Sequence, residues 1–282
     1  MTSVEAPGKI NLSLLVMSPR ADGYHPVDSL VQTIEWCDVL EMEPVDERAD
    51  VMTVTGADQL DPDDNLVLRA LREVRRDTAV PTLSIELEKN LPIAAGLGGG
   101  SSDAAATILG AARLTGLASE LLASIATRVG ADVPLFLIGG SLRMGGVGEV
   151  ITPVAPLSGF SVAIVVPGFG LSTAEVYRRW DELGGPTGEA VADQESPPVL
   201  RGGMPLRNDL LPAALSHEPL LGDFMADVRA AWGAPVCLTG SGSACFGYFA
   251  TFEEASDAAE SVAALCDTGR GVELRPQGVE LI

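Results

Sequence analysis

From residue 9 to 17 apolar and polar positions alternate, with Ile10, Leu12, Leu14 and Val16 on one side and Lys9, Asn11 and Ser13 on the other. A period of two is that of a strand, so Lys9 and Asn11 point the same way. Asp22-Gly23-Tyr24-His25-Pro26 then reads as a turn, because Gly tolerates positive φ and Pro stops continuation. Strand-like stretches follow at 29–43, 50–55 and 82–88. Before the last of these, Leu66, Val67, Ala70, Leu71 and Val74 recur at helical spacing behind Asp64 and Asn65, both good cap residues. Past Leu83, Ile85 and Leu87 the chain passes Lys89 and runs through Gly96-Leu97-Gly98-Gly99-Gly100. It is expected to enter an Ala-rich helix at Ser101, Ser102 or Asp103. A second helix is predicted over 119–129, ending at Gly130.

The second half opens with an apolar strand from Phe160 to Val166, and Ser172-Thr173-Ala174-Glu175 has the spacing of a capping box that starts a helix. Residues 183–206 are rich in Gly, Pro and acidic side chains, lack periodicity, and are expected to form an exposed or partly mobile excursion. A helix at 218–231, strands at 235–239 and 244–250, a helix at 253–266 and a strand at 271–275 follow. Merging the helices on either side of the excursion gives strand, helix, strand, strand, helix, strand. That is the order of a ferredoxin-like split βαβ unit. The expected class is α+β with two domains, 1–155 and 156–282.

A chain of 282 residues that is 46% hydrophobic can bury a sizeable core. Met1-Thr2-Ser3-Val4-Glu5 lacks a basic, then apolar, leader. No apolar run reaches the ~18 to 20 residues of a membrane span, so a cytoplasmic protein with no membrane contact is expected. With 18 basic against 39 acidic residues the net charge is −21, which argues against a nucleic-acid partner. Any anionic ligand must then find a local positive site. The cysteines Cys37, Cys237, Cys245 and Cys266 form no CxxC pair and the histidines are His25 and His217, so zinc spacing is absent and buried, hydrophobe-like thiols are expected. Of the 18 basic residues only Lys9 and Lys89 are lysines. Where Arg has replaced Lys elsewhere, these two mark places that suit a compact ammonium.

The densest signal is Pro92-Ile93-Ala94-Ala95-Gly96-Leu97-Gly98-Gly99-Gly100-Ser101-Ser102-Asp103-Ala104. Glycines let backbone N–H groups turn inward, and a helix N-terminus behind them adds partial positive charge, which together hold a polyphosphate. No Lys-Ser or Lys-Thr follows the glycines, so this is not a Walker A loop. Ser101 stands where a dinucleotide fingerprint needs its last glycine.

Pro7-Gly8-Lys9-Ile10-Asn11-Leu12, the loop at 96–102 and Thr239-Gly240-Ser241-Gly242-Ser243-Ala244 resemble, in order, the three motifs of the GHMP kinases. Asp22-Gly23-Tyr24-His25, Gly130-Ala131-Asp132-Val133-Pro134 and Leu171-Ser172-Thr173-Ala174-Glu175 resemble the branch acting on a cytidine-diphosphate-linked methylerythritol in the non-mevalonate isoprenoid route. The resemblance implies a ribosomal-protein-S5-like α/β domain followed by a ferredoxin-like domain, with the site in the cleft between them. It implies ATP and Mg²⁺, without pointing to metal ligands, and a monomer or homodimer. It places Asp132 as the base for the substrate hydroxyl with Lys9 beside it. Asn65, Leu66, Lys89, Pro92, Ala94, Ala95 and Gly96 through Ser102 would hold the nucleotide. Asn11, Tyr24, His25, Thr173, Gly240, Ser241 and Gly242 would hold the acceptor.

Each of these residues also has a structural reading. Asp132 ahead of Pro134 suits a helix N-cap, Asn65 a cap, Lys89 a strand end, Lys9 a solvated strand lysine, and Gly240 to Ser243 a hairpin turn. On the same scaffold, another alcohol such as homoserine, mevalonate or a sugar, or a non-catalytic nucleotide sensor, stands as the alternative function.

Overall fold

The computed structural model describes residues 1–57 and 65–282, so Asp64 lies outside the described residues. The first half is built on two long strands, β1 (Thr2–Val16) and β2 (Val27–Pro44), paired antiparallel from Thr2 opposite Met42 to Val16 opposite Val27. Their register shifts at Pro7/Gly8, where proline has no N–H to give the ladder, and again at Asn11/Ser13. β4 (Leu83–Glu88) pairs with β2, and β3 (Val51–Thr55) lies parallel to β4 at the edge. β5 (Ser141–Gly145) pairs with β2 and with β6 (Val150–Pro153).

Helices α1 (Leu66–Val74), α2 (Gly99–Thr115), α3 (Leu122–Val129) and α4 (Val133–Ile138) pack together, with α2 lying on β1 and β2. The alanine run explains how close α2 comes. Ala104, Ala105, Ala106 and Ala111 are fully buried, and a Cβ at Gly110 would stand 2.1 Å from Met42 Cε. Sealed branched side chains such as Leu71, Ile85, Leu87 and Ile108 fill the layer, each stabilising it by roughly 1.5–3 kcal/mol.

In the second half, β7 (Ser161–Val166), β8 (Cys237–Leu238), β9 (Cys245–Phe249) and β10 (Thr268–Val272) form an antiparallel sheet in the order β10-β7-β9-β8. Between them run α5 (Thr173–Glu182), α6 (Leu211–His217), α7 (Leu220–Trp232) and α8 (Phe252–Ser261). β7 is apolar after its first residue because both faces are covered. Val162, Ile164 and Val166 pack with Ile10, Leu12, Ile34 and Trp36 of the first sheet, whereas Ala163 packs with Ala255 and Ala259 of α8. The chain then returns to the first half. Arg275 N donates to Thr33 O at 2.8 Å, Val279 N donates to Phe136 O at 2.8 Å, and β11 (Glu280–Leu281) pairs with β1.

Four differences from the sequence expectations have physical causes. α2 begins at Gly99, ahead of the serines, because Gly98 takes the left-handed conformation (φ 75°) and its carbonyl accepts from Ser102 N at 3.0 Å. α4, β5, β6, α6 and β11 went unpredicted because each is seven residues or shorter, too short to show a period. The polar side of β1 is buried, with Lys9, Asn11 and Ser13 each 5% exposed or less, since both halves close over it. Finally, 183–206 is largely exposed but anchored: Leu200 and Leu206 sit in the core shared by the two sheets, and Leu14 N donates to Arg207 O at 2.8 Å.

Candidate active site

Lys9 reaches the interior because Gly8 lets β1 approach the loop that follows β4; a Cβ there would stand 2.8 Å from Leu91 Cδ2. The Lys9 ammonium donates to Asn11 Oδ1 at 2.5 Å and to the Gly96 carbonyl at 2.6 Å, while its own N–H bonds Leu97 O at 2.9 Å. Burial pushes the Lys9 pKa down to about 8, with the charge of Asp132 opposing. Asn11 in turn donates to Ser29 Oγ at 2.8 Å, which fixes the amide with its oxygen toward the ammonium.

Lys9, Asn11 and the Gly-rich loop line a cavity of about 930 Å³ that takes in nearly every predicted site residue. Its lining includes Asn65, Leu66, Lys89, Pro92 and Ala94 through Ser101, and also Tyr24, His25, Thr173, Gly240, Ser241 and Asp132. Ser102 and Gly242 are not in its lining. Ser102 is fully buried with its hydroxyl unpartnered among the described residues, and Gly242 packs against Leu171 and Leu238.

No side chain caps α2, so the amides of its first turn remain open toward the cavity, the arrangement that suits an anion. Asn65 does two things. Its side chain accepts from Val67 N at 3.0 Å, capping α1, and it lines the cavity. The loop at 239–244 both turns between β8 and β9 and rests on the Gly-rich loop. Thr239 N donates to Ala244 O at 3.1 Å, and Ala244 N to Ala95 O at 3.1 Å. Gly96, at φ 79°, is needed there because a Cβ would fall 2.3 Å from Thr239 O.

Lys89 lines the cavity, yet its ammonium is committed inward, donating to Asp38 and, at 2.7 Å, to Asp103 Oδ2. Neither carboxylate was singled out as a partner from sequence. Burial pushes the Asp103 carboxyl up to about 8, against the Lys89 charge.

Asp132 precedes α4, and its side chain makes no cap hydrogen bond, so the carboxylate is not used to start the helix. It is half-buried, and no hydrogen bond or ion pair joins it to Lys9, whose donors go to Asn11 and Gly96. Above it lies the turn between β5 and β6, where a Cβ on Gly148 would stand 3.4 Å from Asp132 Oδ1. Burial, reinforced by Asp132, raises the Tyr177 pKa to about 12, so this phenol stays protonated.

At the far end, His25 Nε2 lies 2.9 Å from Asp181 Oδ1, and its ring sits 5.2 Å from Tyr177 and 5.3 Å, edge on, from Trp180. Tyr24 is 66% exposed at the mouth. Thr173 Oγ1 is 2.8 Å from Ser241 Oγ, bridging α5 and the 239–244 loop. Ser172 caps α5 by accepting from Glu175 N, but Glu175 turns to His217 at 3.2 Å, so only half of the capping box forms. Tyr177 and Asp181 were missed in the sequence. Once Thr173 is placed at the start of a helix, positions four and eight further on share its face, and that signal finds both.

Residues 65–140 match the model of the GHMP kinases N terminal domain. A 4-diphosphocytidyl-2-C-methyl-D-erythritol kinase of Paramagnetospirillum magneticum is 39% identical over 274 residues, 93% of this chain and 94% of that protein. One of Rhizobium meliloti is 40% identical over 272 residues, 92% of this chain and 90% of that protein. A crystal structure of 4-(cytidine 5'-diphospho)-2C-methyl-D-erythritol kinase superimposes with a TM-score of 0.76 at 34% identity, covering 96% of this chain and 98% of that one. A homoserine kinase from Cytophaga hutchinsonii shares the fold, with a TM-score of 0.70 at 19% identity. The chain therefore belongs to the 4-diphosphocytidyl-2-C-methyl-D-erythritol kinases, a family of small-molecule kinases within the GHMP group.

Proposed function

We propose that the chain transfers the γ-phosphoryl group of ATP to the 2-hydroxyl of 4-diphosphocytidyl-2-C-methyl-D-erythritol. One observation carries this reading: a single cavity is lined by an uncapped helix N-terminus behind a Gly-rich loop, by Tyr24, His25 and Tyr177, and by Lys9 and Asp132. The near full-length similarity to kinases of that name supports the choice of alcohol.

In this reading the amides of Gly99, Gly100 and Ser101 bind the nucleotide phosphates, and Asn65, Leu66 and Pro92 border the base. Tyr24 and Tyr177 flank the cytosine, with His25 held by Asp181 at its edge. Asp132 takes the proton of the hydroxyl as its oxygen attacks phosphorus in line. Lys9, fixed by Asn11 and the Gly96 carbonyl, offsets the negative charge on the moving phosphoryl group. No phosphoenzyme forms on this route. Mg²⁺ would arrive with ATP, as part of the nucleotide substrate.

The two-domain description belongs to the same proposal. The order β10-β7-β9-β8 supports a ferredoxin-like second domain, its four strands running fourth, first, third, second, and the mixed sheet under α1 to α4 supports an S5-like first domain. The cleft between them is the substrate site. A coupled ADP-release assay with ATP and the cytidylyl alcohol tests the function. Faster turnover of homoserine, mevalonate or a sugar would overturn the assignment.

A further inference from the structure

The chain leaves the sheet after β4, forms the Gly-rich loop and re-enters order in α2, and one buried cluster holds both ends. Asp38 Oδ1, on β2, accepts from the Asn90 and Leu91 amides at 2.6 and 2.7 Å, while its other oxygen accepts from Lys89. Lys89 gives a further hydrogen bond to Asp103 Oδ2, inside α2, at 2.7 Å. Gly99 forms the roof: a Cβ there would stand 3.2 Å from Lys89 Nζ and 3.4 Å from Asp38 Oδ2. The cluster is buried at the wall of the cavity, which Lys89 and Asp103 help to line, its side chains 0%, 4% and 2% exposed for Asp38, Lys89 and Asp103.

One ammonium here faces two carboxylates, and Asp103 Oδ1 has no hydrogen-bond partner among the described residues. Were both ionised, an uncompensated negative charge would sit sealed beneath a loop whose ligand is itself a polyanion. Uncompensated buried charge is strongly destabilising, and here it would also repel the phosphates. Asp38 is the committed anion, since it accepts from two amides and the ammonium. Asp103 has no amide donor, only the ammonium and the neighbouring Asp38 carboxylate, which a proton on Asp103 can hydrogen-bond.

Resting on the reading of the loop as the nucleotide phosphate site, we propose that Asp103 is a positioning residue that fixes the loop as a neutral acid. Asp38, Lys89 and Asp103 then form a cluster with no net charge that clamps both ends of the loop. The charged groups acting on Asp103 are Lys89, just past the end of β4, and Asp38, from β2. Of the other elements packed on α2, β1 turns Lys9 to Asn11 and Gly96, α1 and α3 pair Glu73 with Arg128, and β11 pairs Glu280 with Arg275. The direction agrees: burial raises the Asp103 carboxyl from 3.8 to about 8, Lys89 opposing and Asp38 reinforcing.

The test compares thermal melting of wild type and Asp103→Asn without nucleotide across pH. A group whose folded pKa lies above its unfolded one binds more protons when folded, so wild-type stability falls as pH rises from 3.8 to about 8. The amide lacks that loss. The melting temperature of Asp103→Asn relative to wild type should therefore climb through this interval and level off above it; a difference that falls with pH would show an ionised Asp103 and overturn the proposal. The KM for ATP tests the positioning. Asp103→Ala should raise it about tenfold, Asp103→Asn should recover most of that loss, and wild-type KM should rise above about pH 8. Equal damage from Asn and Ala would overturn the neutral-acid role. A chain that showed the melting trend yet bound no ATP in equilibrium dialysis would instead overturn the kinase reading, and with it the loop-positioning half.

Discussion

Lys9 Nζ donates to the carbonyl of Gly96 at 2.6 Å, so the first strand and the Gly-rich loop meet at one buried cation. Lys9 is buried and its Nζ is also held at 2.5 Å by Asn11 Oδ1, a site that suits a compact ammonium better than a planar guanidinium. Lys9→Arg and Lys9→Met should each lower kcat by about 10²-fold or more in the ADP-release assay.

The same cation sets a pH limit whose two consequences run in opposite directions. As pH passes about 8, folded Lys9 loses its proton and kcat should fall along an alkaline limb. Between about 8 and 10.5 the unfolded chain keeps a proton that folded Lys9 has lost, so this group's contribution to stability rises with pH. Thermal melting of wild type against Lys9→Met over that range should show the difference narrowing, with Lys9→Met the more stable at neutral pH.

Asp132 carries no capping duty, so removing its charge should leave the fold intact. Asp132→Asn should melt close to wild type and lose about 10²-fold or more in kcat with little change in KM for ATP. A near-normal rate would exclude it as the base.

Gly98 holds φ 75° at the mouth of α2, and a Cβ there would fall 2.7 Å from Phe136 Cζ. Gly98→Ala must either shift the loop or push the Phe136 ring. Its KM for ATP should rise about tenfold or more, and its stability should fall by about 1–3 kcal/mol, read from denaturant melts.

Elements with a sustained period or composition were legible in the sequence: the two long strands, α2 as an alanine-rich helix, and β7 as a strand apolar after its first residue. α4 and β11 were not, because six and two residues carry no periodicity and are placed by contacts with distant parts of the chain. Within the site, Lys9 and Asn11 follow from alternation along β1, and the open amides of α2 from its glycines. What the sequence could not convey was direction. The resemblance implies Lys89 as a nucleotide contact, whereas its ammonium turns inward to Asp38, 51 positions earlier, and Asp103. Ser102 belongs to the motif by spelling, yet helical geometry turns it into the core, with Ser101 left at the cavity.

The return of the chain after β10 has a consequence for how a nascent polypeptide becomes an enzyme. Val279 N supplies the donor to Phe136 O in α4, the helix that Asp132 precedes, and Ile282 N supplies the donor to Ser3 O. A ribosome that has released residue 155 has therefore made Asp132 and the Gly-rich loop but not β11, which pairs with β1. Contacts this far apart in sequence are slow to close. Activity should thus appear only once residues 275–281 have joined the first sheet.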